Sequence, residues 1–217
     1  MLRAWQKRLL NNILSVEFEF ATAGSHTQVI DAGIYDIWLV GGGGGGAMVG
    51  KTLSNTKRWA RGGVGGVLYV RVKVPIQTTI TVNVGAGGNS RIGSNDDVIT
   101  GNNGNNTTIT GFSNVILKAG AGTGATVSGQ DSRTAGVQGT NTATGSNVLS
   151  VIENNINTIT STTGVSSSTK RTTTGQLNIN WAEDTQKGLG GDIGWTTPAN
   201  IVFKHGGTGF VRIKSVD

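Results

Sequence analysis

The chain has 217 residues and a formal net charge of +6, and 36 Gly, 29 Thr, 19 Asn and 15 Ser fill nearly half of it. With 14% charged and 35% hydrophobic residues it lacks the high net charge of an ordinary disordered chain, and two prolines are too few for collagen. A Leu-rich helical enzyme is excluded as well, which leaves an all-β or extended-backbone protein of one or two domains.

Residues 1–14 stand apart from the rest. Leu2, Trp5, Leu9 and Ile13 recur at helical spacing, with Leu10 and Leu14 widening the stripe. The spacing predicts a short amphipathic α-helix. A helix of this length is not stable alone in water, so these four residues are expected to serve oligomerisation or docking on another protein. The apolar pair Leu9-Leu10 is too short for a signal peptide, and no stretch approaches 18 apolar residues, so membrane insertion is not expected.

From residue 15 the period changes to two. Ser15–Phe20 alternates Val16, Phe18 and Phe20 against Glu17 and Glu19 and reads as a half-buried strand. Tyr35–Val40 is mostly apolar and reads as a central strand. Val67–Val74 and Thr78–Val84 alternate on either side of Pro75-Ile76-Gln77 and predict a hairpin. Further strands are expected at Thr107–Thr110, Val115–Lys118, Val148–Ile152, Gln176–Trp181, Ile201–Lys204 and Phe210–Lys214. Trp38 and Trp181, within such strands, are assigned to the core, and no helix is expected after residue 14.

Between the strands lie stretches of another character: Gly41–Gly46 with Gly62-Gly63 and Gly65-Gly66, then Ala119–Asn147, then Ser161–Gly175. Such segments can be linkers, or they can stack as polyglycine-II-type helices in which only Gly lets backbones approach. Gly101-Asn102-Asn103 and Gly104-Asn105-Asn106 fit that period of three. The domain reading is thus a docking helix at 1–14 and a glycine-rich β domain at 15–217. Within it, 119–175 is either packed structure or a low-complexity insertion.

Gly45–Thr52 satisfies the G-x-x-x-x-G-K-[ST] pattern of a phosphate-binding loop and follows a strand. That loop must open a helix whose N-terminus faces the phosphates. Gly62-Gly63 follow too soon, and the alternating βαβ units are missing, so neither nucleotide nor nucleic acid is assigned. The pairs Asp96-Asp97 and Glu183-Asp184 read as solvated turn residues, because neighbours on a strand point to opposite faces. Zero cysteines and two lone histidines, His26 and His205, supply no metal site. No nucleophile–base arrangement stands out, so no catalytic residue and no cofactor is expected. A cluster of Lys51, Lys57, Arg58 and Arg61 surrounds Trp59 in an expected surface loop. Cation and aromatic together grip sugars, phosphates or bases, and Trp195 shares that character. Trp59, Arg58, Arg61 and Trp195 are the receptor-binding candidates.

The ordered set Tyr35–Val40 running into Gly41–Gly46, then Gly62-Gly63-Val64-Gly65-Gly66-Val67, then Thr81–Gly88, resembles the glycine-rich domain of bacteriophage tail-fibre and tail-tip proteins. Gly206–Ile213 resembles the closing strand of that family. There is also a loose similarity to fibre-tip adhesins of T-even-like phages, although the glycine tracts here are fewer and the alternating strands more numerous. The resemblance implies a glycine-rich β-sandwich-like body and a non-catalytic virion protein of the tail or surface fibre. Such a protein attaches to a glycan or outer-membrane protein of a host bacterium, associates as a homotrimer, and meets other virion proteins through its N-terminal helix. It supplies no catalytic residues. A purely structural virion component, such as a fibre connector or capsid decoration, is the alternative.

Overall fold

The computed structural model describes residues 16–50, 57–94, 98–128, 133–155, 193–197, 200–203 and 205–216. The expected helix over 1–14, with Leu2, Trp5, Leu9 and Ile13, lies outside the described residues, as do Trp181 and the strand expected at 176–181. Every regular element among the described residues is a β-strand.

Two five-stranded antiparallel sheets form the body. The first has the order β1 (Glu17–Phe20), β18 (Phe210–Val216), β3 (Gly33–Val40), β6 (Val67–Val74), β15 (Val148–Asn155). The second has the order β14 (Thr142–Thr144), β11 (Ile116–Ala119), β10 (Thr107–Thr110), β7 (Thr78–Val84), β2 (Gly24–Ile30). Alternation sets the packing: Ile37, Leu68 and Val70 from the first sheet meet Val82, Ile109 and Leu117 from the second in one buried core. Tyr35–Val40 falls in β3, the middle strand, as its continuous apolar run requires.

The hairpin expected over residues 67–84 does not form. β6 pairs with β3 and β15, whereas β7 pairs with β2 and β10 in the other sheet. Pro75-Ile76-Gln77 therefore arches from one sheet to the other. The turn between β2 and β3 does the same, so the two arches nest and pair strand for strand. Both connections place the apolar residues of their strands on the same core, and alternation alone does not distinguish a hairpin from such an arch.

Beyond the sandwich the chains run on as glycine-rich segments with a period of three. Gly41 and Gly44 donate to the Gly66 and Gly63 carbonyls, Gly42 and Gly45 to those of Asn105 and Asn102, and Gly43 to that of Gly207. That is the repeat of a polyproline-II backbone, which has no internal hydrogen bonds and must satisfy its amides laterally. Gly41–Gly46 is buried throughout and forms the axis. The segments 62–66, 120–125, 101–106, 85–90 and 206–209 surround it, each hydrogen-bonded to the next, for example Gly66 N to Gly120 O and Gly206 N to Gly88 O. The spacing is set by Gly: a methyl group on Gly44 would overlap the Thr123 carbonyl, and one on Gly41 that of Gly120.

The two Gly-Asn-Asn repeats show how sequence serves this lattice. Gly101 and Gly104 lie against the Gly45 and Gly42 carbonyls of the axis. The backbone carbonyls of Asn102 and Asn105 accept from the axis, and the side-chain carbonyls of Asn103 and Asn106 accept from Gly124 N and Ala121 N, both at 2.8 Å. At the junction with the sandwich, buried Thr107 donates its hydroxyl to Val40 O at 2.7 Å and accepts from Gly85 N at 3.0 Å.

Candidate functional site

At the far end of the glycine bundle the segments open into short strands. β4 (Ala47–Gly50) pairs with β5 (Lys57–Ala60) antiparallel and with β8 (Arg91–Ser94) in parallel. β12 (Thr126–Ser128) pairs with β9 (Val98–Thr100) and β13 (Arg133–Thr134). Small residues let the two sheets close on each other: Ala47, Val49 and Ala60 pack on Ala125, Val127 and Ile99. Because side chains alternate across a strand, Met48 and Trp59 face the opposite way from this small core.

That opposite face of the sheet carries a cross-strand row. Met48 stands in register with Trp59 on one side and Ile92 on the other. Met48 is buried, Trp59 half-buried and Ile92 46% exposed. Arg61, two residues past Trp59, holds its guanidinium carbon 5.7 Å from the centre of the Trp59 ring, within cation–π range. The other sheet of the tip bears a row of hydroxyls, Thr100, Thr126 and Thr134 in register, with the first two 3.0 Å apart. An indole with a cation over its ring beside an exposed aliphatic residue offers apolar contact and hydrogen-bond donation to a polar ligand.

The second concentration of chemistry is on the body. On the face of the first sheet away from the core, Trp38 and Tyr69 stack and are buried. Tyr69 Oη donates to Asp36 Oδ2 at 3.1 Å, and Arg71 clamps the same carboxylate through Nε at 2.7 Å and Nη2 at 2.8 Å. Burial first, then the Asp36 charge, pushes the Tyr69 hydroxyl up to about 12. The Arg71 guanidinium is raised by the same carboxylate. The buried Asp36 carboxylate is matched by the partly exposed Arg71 guanidinium and by the Tyr69 hydroxyl, which offset its desolvation cost.

The family model of the glycine-rich domain matches residues 21–215, from just before β2 into the closing strand β18. The chain belongs to this family. Comparison with curated proteins gives no match.

Within this glycine-rich domain the four receptor-binding candidates are placed as follows. Trp59 and Arg61 come together at the tip. Arg58 lies on β5 opposite Val49, and Trp195 on β16 (Ile193–Thr197) opposite Ile201 of β17 (Asn200–Phe203), a separate two-stranded sheet. The stretch around Trp59, expected as a surface loop, is instead the strand β5, because register with β4 satisfies its backbone. Ala47–Gly50, inside the phosphate-loop pattern, is likewise a strand, while Lys51 and Thr52 lie outside the described residues. Asp96, Asp97, Glu183 and Asp184 also lie outside them. His205 Nδ1 accepts from Ser90 N at 3.0 Å and so tethers the return segment to β8. Among the described residues no cluster of three His, Cys, Asp or Glu could hold a metal. Met48 and Ile92 were not legible as site residues. Their signal is the pairing register, which a glycine-flanked run of four residues does not reveal.

Proposed function

We propose that this glycine-rich domain is a non-catalytic bacteriophage fibre-tip or receptor-binding protein that adheres to a glycan or outer-membrane protein of its host bacterium. The observation that carries the reading is the separation of parts. A side-chain-poor backbone lattice holds one small tip away from the body, and that tip presents Trp59 with Arg61 beside Met48 and Ile92. A rigid platform with an aromatic and a cation suits recognition without turnover. The likeness of the glycine tracts to tail-fibre domains supplies the context of a virion.

The reading includes association into a homotrimer. Edge strand β15 supports this part: Leu149, Val151 and Ile152 are 50%, 46% and 48% exposed along an edge that association would cover. Fluorescently labelled full-length protein should bind cells of one strain or a few in a bacterial panel. It should be competed by purified surface glycan or outer-membrane fraction of those strains. Uniform failure across the panel, with normal incorporation into virions, would sink the adhesin reading in favour of a structural component.

A further inference from the structure

Charge is unevenly spread over the parts of the molecule. The glycine bundle, at 41–46, 62–66, 85–90, 101–106, 120–125 and 206–209, contains no charged residue. The acidic positions among the described residues, Glu17, Glu19, Asp31, Asp36 and Glu153, all lie on the body. Glu17 and Glu19 meet Arg212 there, and Asp36 meets Arg71. The tip has the opposite character. Its first excursion, 47–61, holds Lys51, Lys57, Arg58 and Arg61 and no acidic residue. Taken with the excursions 91–100 and 126–135, six basic residues stand against three acidic, Asp96, Asp97 and Asp131. Half of the chain's net charge of +6 therefore falls at the tip.

Strand pairing brings these cations to both flanks of one small sheet. Its middle strand β4, Ala47–Gly50, is uncharged, while β5 on one side contributes Lys57 and Arg58 and leads into Arg61. On the other side β8 opens with Arg91, which is exposed and comes 30 residues after Arg61. The row Trp59, Met48 and Ile92 runs between the flanks. Six residues of polyproline-II backbone, at about 3.1 Å each, hold the tip about 19 Å beyond the sandwich. The Debye length at physiological salt is only about 8 Å. The carboxylates of the body are thus screened from the tip and do not neutralise it.

We infer that the ligand of the tip is an anionic polysaccharide with repeated carboxylate or phosphate groups, which places its anions on Arg61 and Arg91 and its sugar C–H faces against Trp59 and Ile92. The inference rests on the receptor-binding reading and names the class of receptor. A guanidinium presents paired donors that match the oxygens of carboxylate and phosphate alike. Arg61 already lies over the Trp59 ring, on which a nucleobase would have to stack, and this favours a sugar chain over nucleic acid.

Isothermal titration of the full chain with three polymers tests this: polygalacturonate for carboxylate, a poly(glycerol phosphate) teichoic acid for phosphate, and dextran as the neutral reference. At least one polyanion should bind at least about tenfold more tightly than dextran, and which one binds identifies the anion. Raising NaCl from about 50 to about 500 mM should weaken that binding by at least about tenfold. Arg61→Gln combined with Arg91→Gln should weaken it by at least about tenfold as well. Lys73→Gln combined with Lys214→Gln removes the same charge from exposed positions of the body and should change it by less than about twofold.

Equal loss from the two pairs would reduce the effect to net charge and overturn the proposal. So would equal affinity for dextran, or tighter binding to a DNA duplex than to either polyanion. Attachment to cells that persists unchanged at about 500 mM NaCl would overturn it too, while leaving the adhesin reading intact. Tip-dependent polyanion binding without attachment to any cell would uphold the anion site and end that reading instead.

Discussion

Trp38 of β3 and Tyr69 of β6 stand directly opposite each other and stack with ring centroids 4.5 Å apart and planes 15° from parallel. The pair lies on the side of the first sheet that faces away from the main core, and both residues are buried. Tyr69 in turn donates to the Asp36 carboxylate that Arg71 clamps. Stacking and ion pair are thus one unit across two central strands, joined by a single phenol.

That unit gives the fold an alkaline limit. The Tyr69 hydroxyl, ordinarily 10.0, is pushed up to about 12 in the folded protein, by burial first and by Asp36 next. A folded-state value above the unfolded one means that the native form holds the proton more tightly. The resulting stability is whole below pH 10 and lost as pH rises from 10 to about 12. Urea midpoints measured across pH 9–12 should fall steeply for the native chain. For Tyr69→Phe they should fall less, though not to zero slope, because burial also raises Tyr35.

The glycine lattice should tolerate no side chain where backbones touch. Gly44→Ala directs its methyl into the Thr123 carbonyl and should cost about 3 kcal/mol or more by forcing the bundle apart. Gly33→Ala meets only the edge of the Tyr35 ring at 3.4 Å and should change stability by less than about 1 kcal/mol. Chemical denaturation of the two variants side by side checks this, and equal losses would contradict the close-packed axis.

Thr107 joins the sandwich to the bundle through one hydroxyl with two backbone partners. Thr107→Val keeps the shape and strands both the Val40 carbonyl and the Gly85 amide, at a cost of about 2–4 kcal/mol. Thr107→Ser retains the hydroxyl and should lose under half as much. A thermal scan of both variants distinguishes the lost hydrogen bonds from lost packing.

At the tip, Trp59→Ala and Arg61→Ala should each weaken binding to receptive cells by at least about tenfold, as aromatic and Arg anchors do in recognition surfaces. Both should leave the melting of the body unchanged, since the tip has its own small core. Full binding by the double variant would move the receptor site elsewhere.

The body was legible because its strands are long enough to alternate. Val67–Val74 and Thr78–Val84 have the same bounds as the strands the alternation predicts, and Thr107–Thr110 does as well. Their partners were not legible, since an arch and a hairpin bury the same residues. The Gly-Asn-Asn period was visible in the sequence, but its meaning lay in contacts with segments some 60 residues away, such as Gly104 with the Gly42 carbonyl. The tip was the least readable part. Strands of three or four residues, such as Val98–Thr100 and Thr126–Ser128, owe their form to neighbours rather than to propensity. Trp59 and Arg61 were found from residue type alone, and Met48 and Ile92 needed the register.

The hydrogen bonds that hold the bundle run mostly from main chain to main chain, supplemented by a few side chains such as Asn103, Asn106 and Asn141. Such a scaffold reads no sequence at its tip. Each excursion leaves and re-enters at fixed backbone positions, so a tip loop of another length or composition can replace it without a compensating change in the lattice. Diversity at the contact surface and constancy of the support are thereby uncoupled, and selection can act on the first while the second stays still.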